Sequence, residues 1–428
     1  NVDPTVIPQS LLDNVAAGSA LPIDAISPGF EIPSDWKASI RVEQGFDLKL
    51  GSLDLGDDYV FMAQYLYTAT ENGFLWQNVP QINGTYPTGV APDGRVIYAD
   101  LQDIADSAAD TNALPIQGQN LTLLGNHDEG KSQVFTLALG KRYENGIDFN
   151  FSYAFQDVEV VTEGTSSRGI SNWRGITDVD RNFPGAKVSP FQIEHSFKLN
   201  LGYETYWNTD GWRTRFDLFA RRFSGDQFYN TFNVSSSNSL FGRASQFESP
   251  FDNNPLYIPT GPSDPLVVYD SGFDQTGFFE YVSANGFKSG IQAPFAERAG
   301  WSSVWDLRIQ QDIPGLPFLG DTLGDNNFQV TLDIDNVLNL LNDDWGVVYN
   351  GPGFGQNAIV TADLVSAADV AANGVDAATA LTGDSMRTTC VAASDCVYRF
   401  NSFSDRNINN PSASRSVYRI RLGIRFDF

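Results

Sequence analysis

The chain closes on Tyr418-Arg419-Ile420-Arg421-Leu422-Gly423-Ile424-Arg425-Phe426-Asp427-Phe428. Tyr418, Ile420, Leu422, Ile424, Phe426 and Phe428 are aromatic or aliphatic, while the residues between them are Arg, Gly or Asp. A period of two puts the first set on one face of a β-strand and the second on the other. The stretch is as long as the roughly 9 to 11 residues with which a tilted strand crosses a bilayer. A strand of a soluble sandwich rarely runs that far or ends a chain on an aromatic ring.

Working upstream, the same alternation predicts strands over 38–50, 59–68, 134–143, 147–155, 197–204, 213–220, 305–310 and 328–335, nine in all with the last. Their connections alternate in length. Short Gly-, Asn- and Asp-rich turns follow the first, third, fifth and seventh strands, and long segments at 71–131, 161–190, 225–300 and 338–415 follow the others. A meander crossing a membrane produces this parity, with short periplasmic turns and long extracellular loops. Residues 1–35 then form part of an extracellular loop, residues 36–428 carry the strands, and the C-terminus lies on the periplasmic side.

Composition narrows the class. The chain has 428 residues, 42% hydrophobic and 13% aromatic, and its 27 Lys and Arg against 52 Asp and Glu leave a net charge of −25. That charge repels a nucleic acid, so none is expected as a partner. No run approaches the roughly 18 apolar residues of a membrane helix, and a mean hydropathy of −0.23 suits a barrel whose strands only alternate. Single-chain bacterial barrels normally have an even strand number, and an open sheet edge in lipid leaves backbone groups unpaired. Nine strands therefore predict the C-terminal part of a larger barrel. The remaining strands are expected from an N-terminal part first, a cleaved companion second, symmetry mates third. The absence of an initiator Met or signal-like start favours a fragment.

The face opposite the apolar one carries Arg41, Glu43, Arg213, Arg215, Asp217, Asp306, Arg308, Asp333, Asp335, Arg419 and Arg421. An Arg or Lys facing lipid at the midplane costs about 2–4 kcal/mol, so these residues are expected to face the lumen, pairing across strands or meeting solute. Aromatic residues beside acids and amides in the long segments, Trp76, Tyr86, Trp173, Phe228 and Tyr229, are candidate solute contacts. Interface girdles and loop cores account for such rings equally. Cys390 and Cys396 suit a small loop disulfide in an oxidising compartment, free thiols being the alternative. No nucleophile elbow, phosphate loop or zinc motif is present, and His127 and His195 are the only histidines, so no catalytic role is expected. No cofactor or metal is assigned. Asp103, Asp106 and Asp110 and the turn from Asp321 to Asn327 offer oxygen ligands to a divalent cation such as calcium, without a recognised loop motif.

Three tracts carry a family resemblance: Pro28-Gly29-Phe30-Glu31-Ile32-Pro33-Ser34-Asp35-Trp36, Ser171-Asn172 with Phe191-Gln192-Ile193-Glu194-His195-Ser196-Phe197, and above all Asp333-Ile334-Asp335-Asn336-Val337-Leu338-Asn339-Leu340-Leu341-Asn342-Asp343-Asp344-Trp345-Gly346. They resemble TonB-dependent outer-membrane receptors of the Oar-like type, whose closing strand ends on a Phe that signals barrel insertion, here Phe428. The resemblance spans the strands but not the loops. It implies a plugged barrel of roughly 22 strands in the bacterial outer membrane, driven through a TonB box by an inner-membrane complex and open to a surface lipoprotein as partner. The plug and the TonB box have no counterpart in these residues.

The expectation is thus an all-β transmembrane antiparallel barrel segment, in contact with outer-membrane lipid and lipopolysaccharide, that binds and passes a bulky solute, peptide or glycan before free ion. The rivals are a secreted or surface-layer β-sandwich acting in adhesion or assembly, and a passive porin-like barrel. A sandwich would bury the apolar strand faces against a second sheet.

Overall fold

A computed structural model describes residues 23–51, 53–84, 86–100, 121–207, 211–233, 240–242, 253–314 and 327–427. The chain is mostly β, with 49% strand and 15% helix. Nine long strands form one meander: β1 (Ser34–Phe46), β2 (Tyr59–Asn78), β3 (Lys131–Arg142), β4 (Ile147–Val160), β5 (His195–Tyr206), β6 (Arg213–Phe223), β7 (Ser302–Pro314), β8 (Asn327–Asp335) and β9 (Arg419–Asp427). Each pairs antiparallel with the next in sequence.

The register keeps the two faces separate across the whole sheet. Ile40 pairs with Tyr65, which faces Phe135, which faces Phe155. Farther along, Phe216, Ile309, Leu332 and Leu422 make one continuous row. A slip of one residue in any pair would break these rows, so the alternation in sequence specifies the pairing. The apolar face is not packed on a second sheet: Ile40, Phe151, Leu201, Leu422 and Ile424 are 64%, 39%, 41%, 71% and 71% exposed. Aromatic residues concentrate at its two ends. Phe46 stacks on Tyr59, Tyr203 on Phe216 and Phe328 on Phe426 toward the short turns, while Trp36 meets Tyr67 edge-on and Tyr153 stacks on Phe197 toward the long connections.

The turn chemistry explains the tightest hairpin. Between β3 and β4, Gly146 takes φ +87°, and a Cβ there would lie 2.1 Å from the Glu204 carbonyl oxygen. Tyr143 N–H donates to Ile147 O at 2.7 Å, closing the loop. Several strands run past their expected ends, among them β4 to Val160 and β7 over Ser302–Pro314, and the first two depart for a visible reason. β1 begins at Ser34, not at residue 38, and stops at Phe46, because Lys49–Leu50 pairs instead with Leu53–Asp54 in a small hairpin. β2 runs on to Asn78 because Leu121–His127 continues its pairing beyond β3, from His127 opposite Gly73 to Thr122 opposite Asn78. Ile23–Ile26, expected as loop, lies parallel to Leu121–His127.

The outer edges of β1 and β9 have no strand partner among the described residues, so the sheet is not closed. Phe428 lies outside the described residues.

The long connections are not simple polar loops. A six-stranded sheet orders Val267–Tyr269, Cys396–Phe403, Gln356–Ser366, Gln227–Phe232 and Glu297–Arg298, with Ala380–Leu381 beside Gln356–Ser366. Its core buries Phe228, Phe232, Leu256, Phe278, Val360, Leu364, Tyr398 and Phe400. The helix Gln275–Asn285 packs on this core, capped by Asp274, whose side chain accepts from Gly277 N–H, and ended by Gly286 at φ +71°. We refer to this unit as the cap. Cys390 and Cys396 are disulfide-bonded within it, with a Cα separation of 5.4 Å.

Asp264 pins one cap loop. It accepts from Thr260 N–H and Oγ1 at 2.8 Å each, Tyr257 Oη at 3.0 Å and Leu266 N–H at 3.0 Å. Burial pulls its pKa upward, but these donors outweigh burial and hold it below the ordinary Asp value. A folded pKa below the unfolded one contributes stability above about pH 4 that is lost as pH falls through the folded value. Asp264→Asn is expected to lower cap stability by about 1–3 kcal/mol at neutral pH and to flatten this acid limb. Thermal melts at neutral and acid pH check both.

Candidate functional site

The polar face of the meander brings the sequence-expected charges together. Six of them, Asp217, Asp306, Arg308, Asp333, Asp335 and Arg421, line one hollow of about 310 Å³ across β6 to β9. Arg308 Nε donates to Asp333 at 2.6 Å and Arg421 Nη2 to Asp335 at 2.9 Å. Beside the hollow, Arg215 reaches Asp217 at 2.7 Å and Asp148 at 3.1 Å. Gly202 makes that bridge fit, since a Cβ there would lie 2.6 Å from both Arg215 Nη2 and Asp148 Oδ1. Arg213 pairs with Asp312 at 2.8 Å and Glu204 at 3.4 Å. Arg41 and Glu43 pair with each other at 2.7 Å on β1, and Arg419 donates to Ser414 O at 3.2 Å. The cross-strand pairs among these tie strands of the polar face together, while carboxylates outnumber guanidinium groups in the hollow four to two. Its field favours cationic over anionic groups.

At the strand ends away from the short turns, three long connections enclose a cleft of about 510 Å³. Its lining includes Glu163, Ser171, Phe191, Asp226, Gln227, Phe295, Phe354 and Gln356. Phe191 and Phe354 are 72% and 94% exposed, so both present ring faces to solvent. Phe354 and Phe295 hold φ of +55° and +57°, a backbone region that costs a non-glycine residue about 1–3 kcal/mol. Phe354 carries this strain while exposed, whereas Phe295 is buried against Tyr229. Burial pushes the Glu163 carboxyl up and the Lys187 ammonium down, and their opposite charges, 4.0 Å apart, pull each the other way. The cleft combines rings for stacking, amides for orientation and two carboxylates.

The expected aromatic contacts divide. Trp173, Phe228 and Tyr229 are fully buried and offer no ring to a solute, which corrects their assignment: Trp173 sits with Ile170 and Ile176, and Phe228 and Tyr229 lie on a cap strand buried on both faces. Trp76 and Tyr86 are partly buried against the Trp173 cluster. The exposed rings that line the cleft, Phe191 and Phe354, carry no such expectation in the sequence, although Phe354 sits in Gly351-Pro352-Gly353-Phe354-Gly355, a turn signal with a single large side chain. No group of three or more His, Cys, Asp or Glu side chains fit to hold a metal occurs among the described residues. Asp103, Asp106, Asp110, Asp321 and Asp325 lie outside them.

The sequence matches no protein-family model and no characterised protein.

Proposed function

We propose that the chain forms the C-terminal wall and outer vestibule of a bacterial outer-membrane receptor, a TonB-dependent transporter of the Oar-like type, which binds a bulky solute and passes it inward. The observation that carries this reading is the two-faced meander: an uncovered apolar face in register over nine strands, with aromatic rows at both ends, backed by a face of paired charges. An outward apolar band flanked by aromatic girdles and a polar interior is the pattern of a membrane barrel. The free edges of β1 and β9 would leave backbone groups unsatisfied in hydrocarbon, so further strands complete the wall. These come from an N-terminal part of the protein, a companion or symmetry mates. The short turns and the end of β9 then face the periplasm, the cap faces outward among lipopolysaccharide headgroups, and a surface lipoprotein is a fitting cover for it.

A peptide or glycan suits the outer cleft better than a free ion, because its rings and amides offer stacking and orientation. Passage would follow movement of a plug energised through TonB. Cells expressing the intact protein should accumulate a labelled peptide or oligosaccharide, and an uncoupler of the proton gradient should abolish this. Steady ion conductance of the purified protein in a planar bilayer, without an energised partner, would instead support a passive porin-like barrel.

A further inference from the structure

Arg41, Arg213, Arg215, Arg308 and Arg421 each meet a carboxylate on the polar face. Arg222 projects from the other face. Near the outer end of β6, it stands between Phe197 of β5 and Ser303 of β7. It is exposed, and no carboxylate partners it among the described residues. Its guanidinium carbon lies 5.6 Å from the centre of the Trp301 ring. Trp301 stacks on His195 at 5.8 Å and lies 6.3 Å from Phe197. The Tyr153 hydroxyl and His195 Nδ1 are 2.9 Å apart. The nearby carboxylate, Glu194, is engaged by Arg298 and lies 3.6 Å from His195 Nε2.

We propose that Arg222, Trp301 and His195 form a binding site for the phosphorylated sugar headgroup of an outer-leaflet glycolipid. The proposal rests on the membrane reading above, which puts this cluster at the outer boundary of the apolar band. A lipid-facing Arg is expensive at the midplane but nearly neutral at the interface. At that depth in the outer leaflet, the abundant counter-anion is a headgroup phosphate, and a guanidinium fork matches phosphate oxygens two at a time. The exposed Trp301 ring beside it, with the half-buried His195 behind, provides a stacking surface for a sugar. With Glu194 held by Arg298, the Arg222 charge is left for a ligand.

The test uses the full-length protein reconstituted in phosphatidylcholine vesicles with a phosphorylated lipid A, or with the same lipid dephosphorylated. After flotation and re-extraction in mild detergent, native mass spectrometry counts headgroups retained per protein. The wild type should retain the phosphorylated form, Arg222→Ala should weaken retention about tenfold, and Arg222→Lys should keep part of it, as expected for loss of a charge-assisted contact. Equal retention by wild type and Arg222→Ala, or of the phosphorylated and dephosphorylated lipids, overturns the site while leaving the membrane reading standing if both proteins float. Displacement by inorganic phosphate shows a bare anion site and overturns the headgroup assignment. Failure of the wild type to float with vesicles overturns the membrane reading, and the site with it.

Discussion

Leu307→Arg should remove the protein from the membrane fraction, whereas Thr331→Arg should leave it there. Leu307 sits on the apolar face of β7, between Leu218 of β6 and Ile334 of β8. If that face meets lipid, an Arg at this depth costs about 2–4 kcal/mol, enough to lower the assembled fraction about 30-fold or more. Thr331 is on β8 with its side chain on the polar face, opposite Gln310 and Gly423. The space beside Gly423 and the carboxylates nearby can accept a guanidinium. Protease resistance of the membrane fraction, compared between the two variants at equal expression, reads the difference. Were Thr331→Arg the damaging change, the faces would be assigned the wrong way round.

Arg95→Leu is expected to destabilise the cap by about 3–5 kcal/mol. Arg95 and Asp93 form an ion pair at 2.6 Å with side chains only 1% and 2% exposed. The guanidinium also donates to Pro255 O at 2.6 Å and lies 4.2 Å from the centre of the Phe241 ring. Removing it strands the Asp93 carboxylate in a site that water does not reach. The double variant Asp93→Leu with Arg95→Leu should therefore be more stable than Arg95→Leu alone, since an apolar pair avoids the lone buried charge. Thermal unfolding of the cap by near-ultraviolet circular dichroism measures both. Additive losses would mean that the two residues do not act as a pair.

The nine strands of the meander were legible because six of them read as a clear period of two, 38–50, 59–68 and 134–143 fit it more weakly, and each pairs with its neighbour in sequence. The polar-face charges were legible for the same reason: once Phe216 and Leu218 point one way, Arg215 and Asp217 must point the other. Their gathering into one hollow follows from register, which the alternation also constrains. The cap was not legible. Its sheet pairs Gln227–Phe232 with Gln356–Ser366 and Val267–Tyr269 with Cys396–Phe403, partners far apart in the chain. Buried on both faces, Gln227–Phe232 has no alternation to betray it, so Phe228 and Tyr229 read as exposed loop rings. The extension of β2 escaped notice because Glu71, Asn72 and Gly73 interrupt the pattern, while pairing with Leu121–His127 carries the strand through. His195 stood in the sequence only as one of two histidines, just ahead of the strand expected over 197–204. Its place between Trp301 and Tyr153 depends on the juxtaposition of β4, β5 and the segment before β7.

The central claim is that one face of the meander meets lipid. Spin labels placed singly at Cys substitutions from 197 to 204 in β5 test it most directly, since the chain's own Cys390 and Cys396 are disulfide-bonded. In reconstituted vesicles, labels at Phe197, Leu199, Leu201 and Tyr203 should be relaxed by oxygen dissolved in the bilayer, and labels at Lys198, Asn200 and Glu204 by a water-soluble nickel complex. Alternation in that phase supports the lipid-facing wall. Labels at Leu199 and Leu201 shielded from both reagents, or relaxed chiefly by nickel, would contradict it.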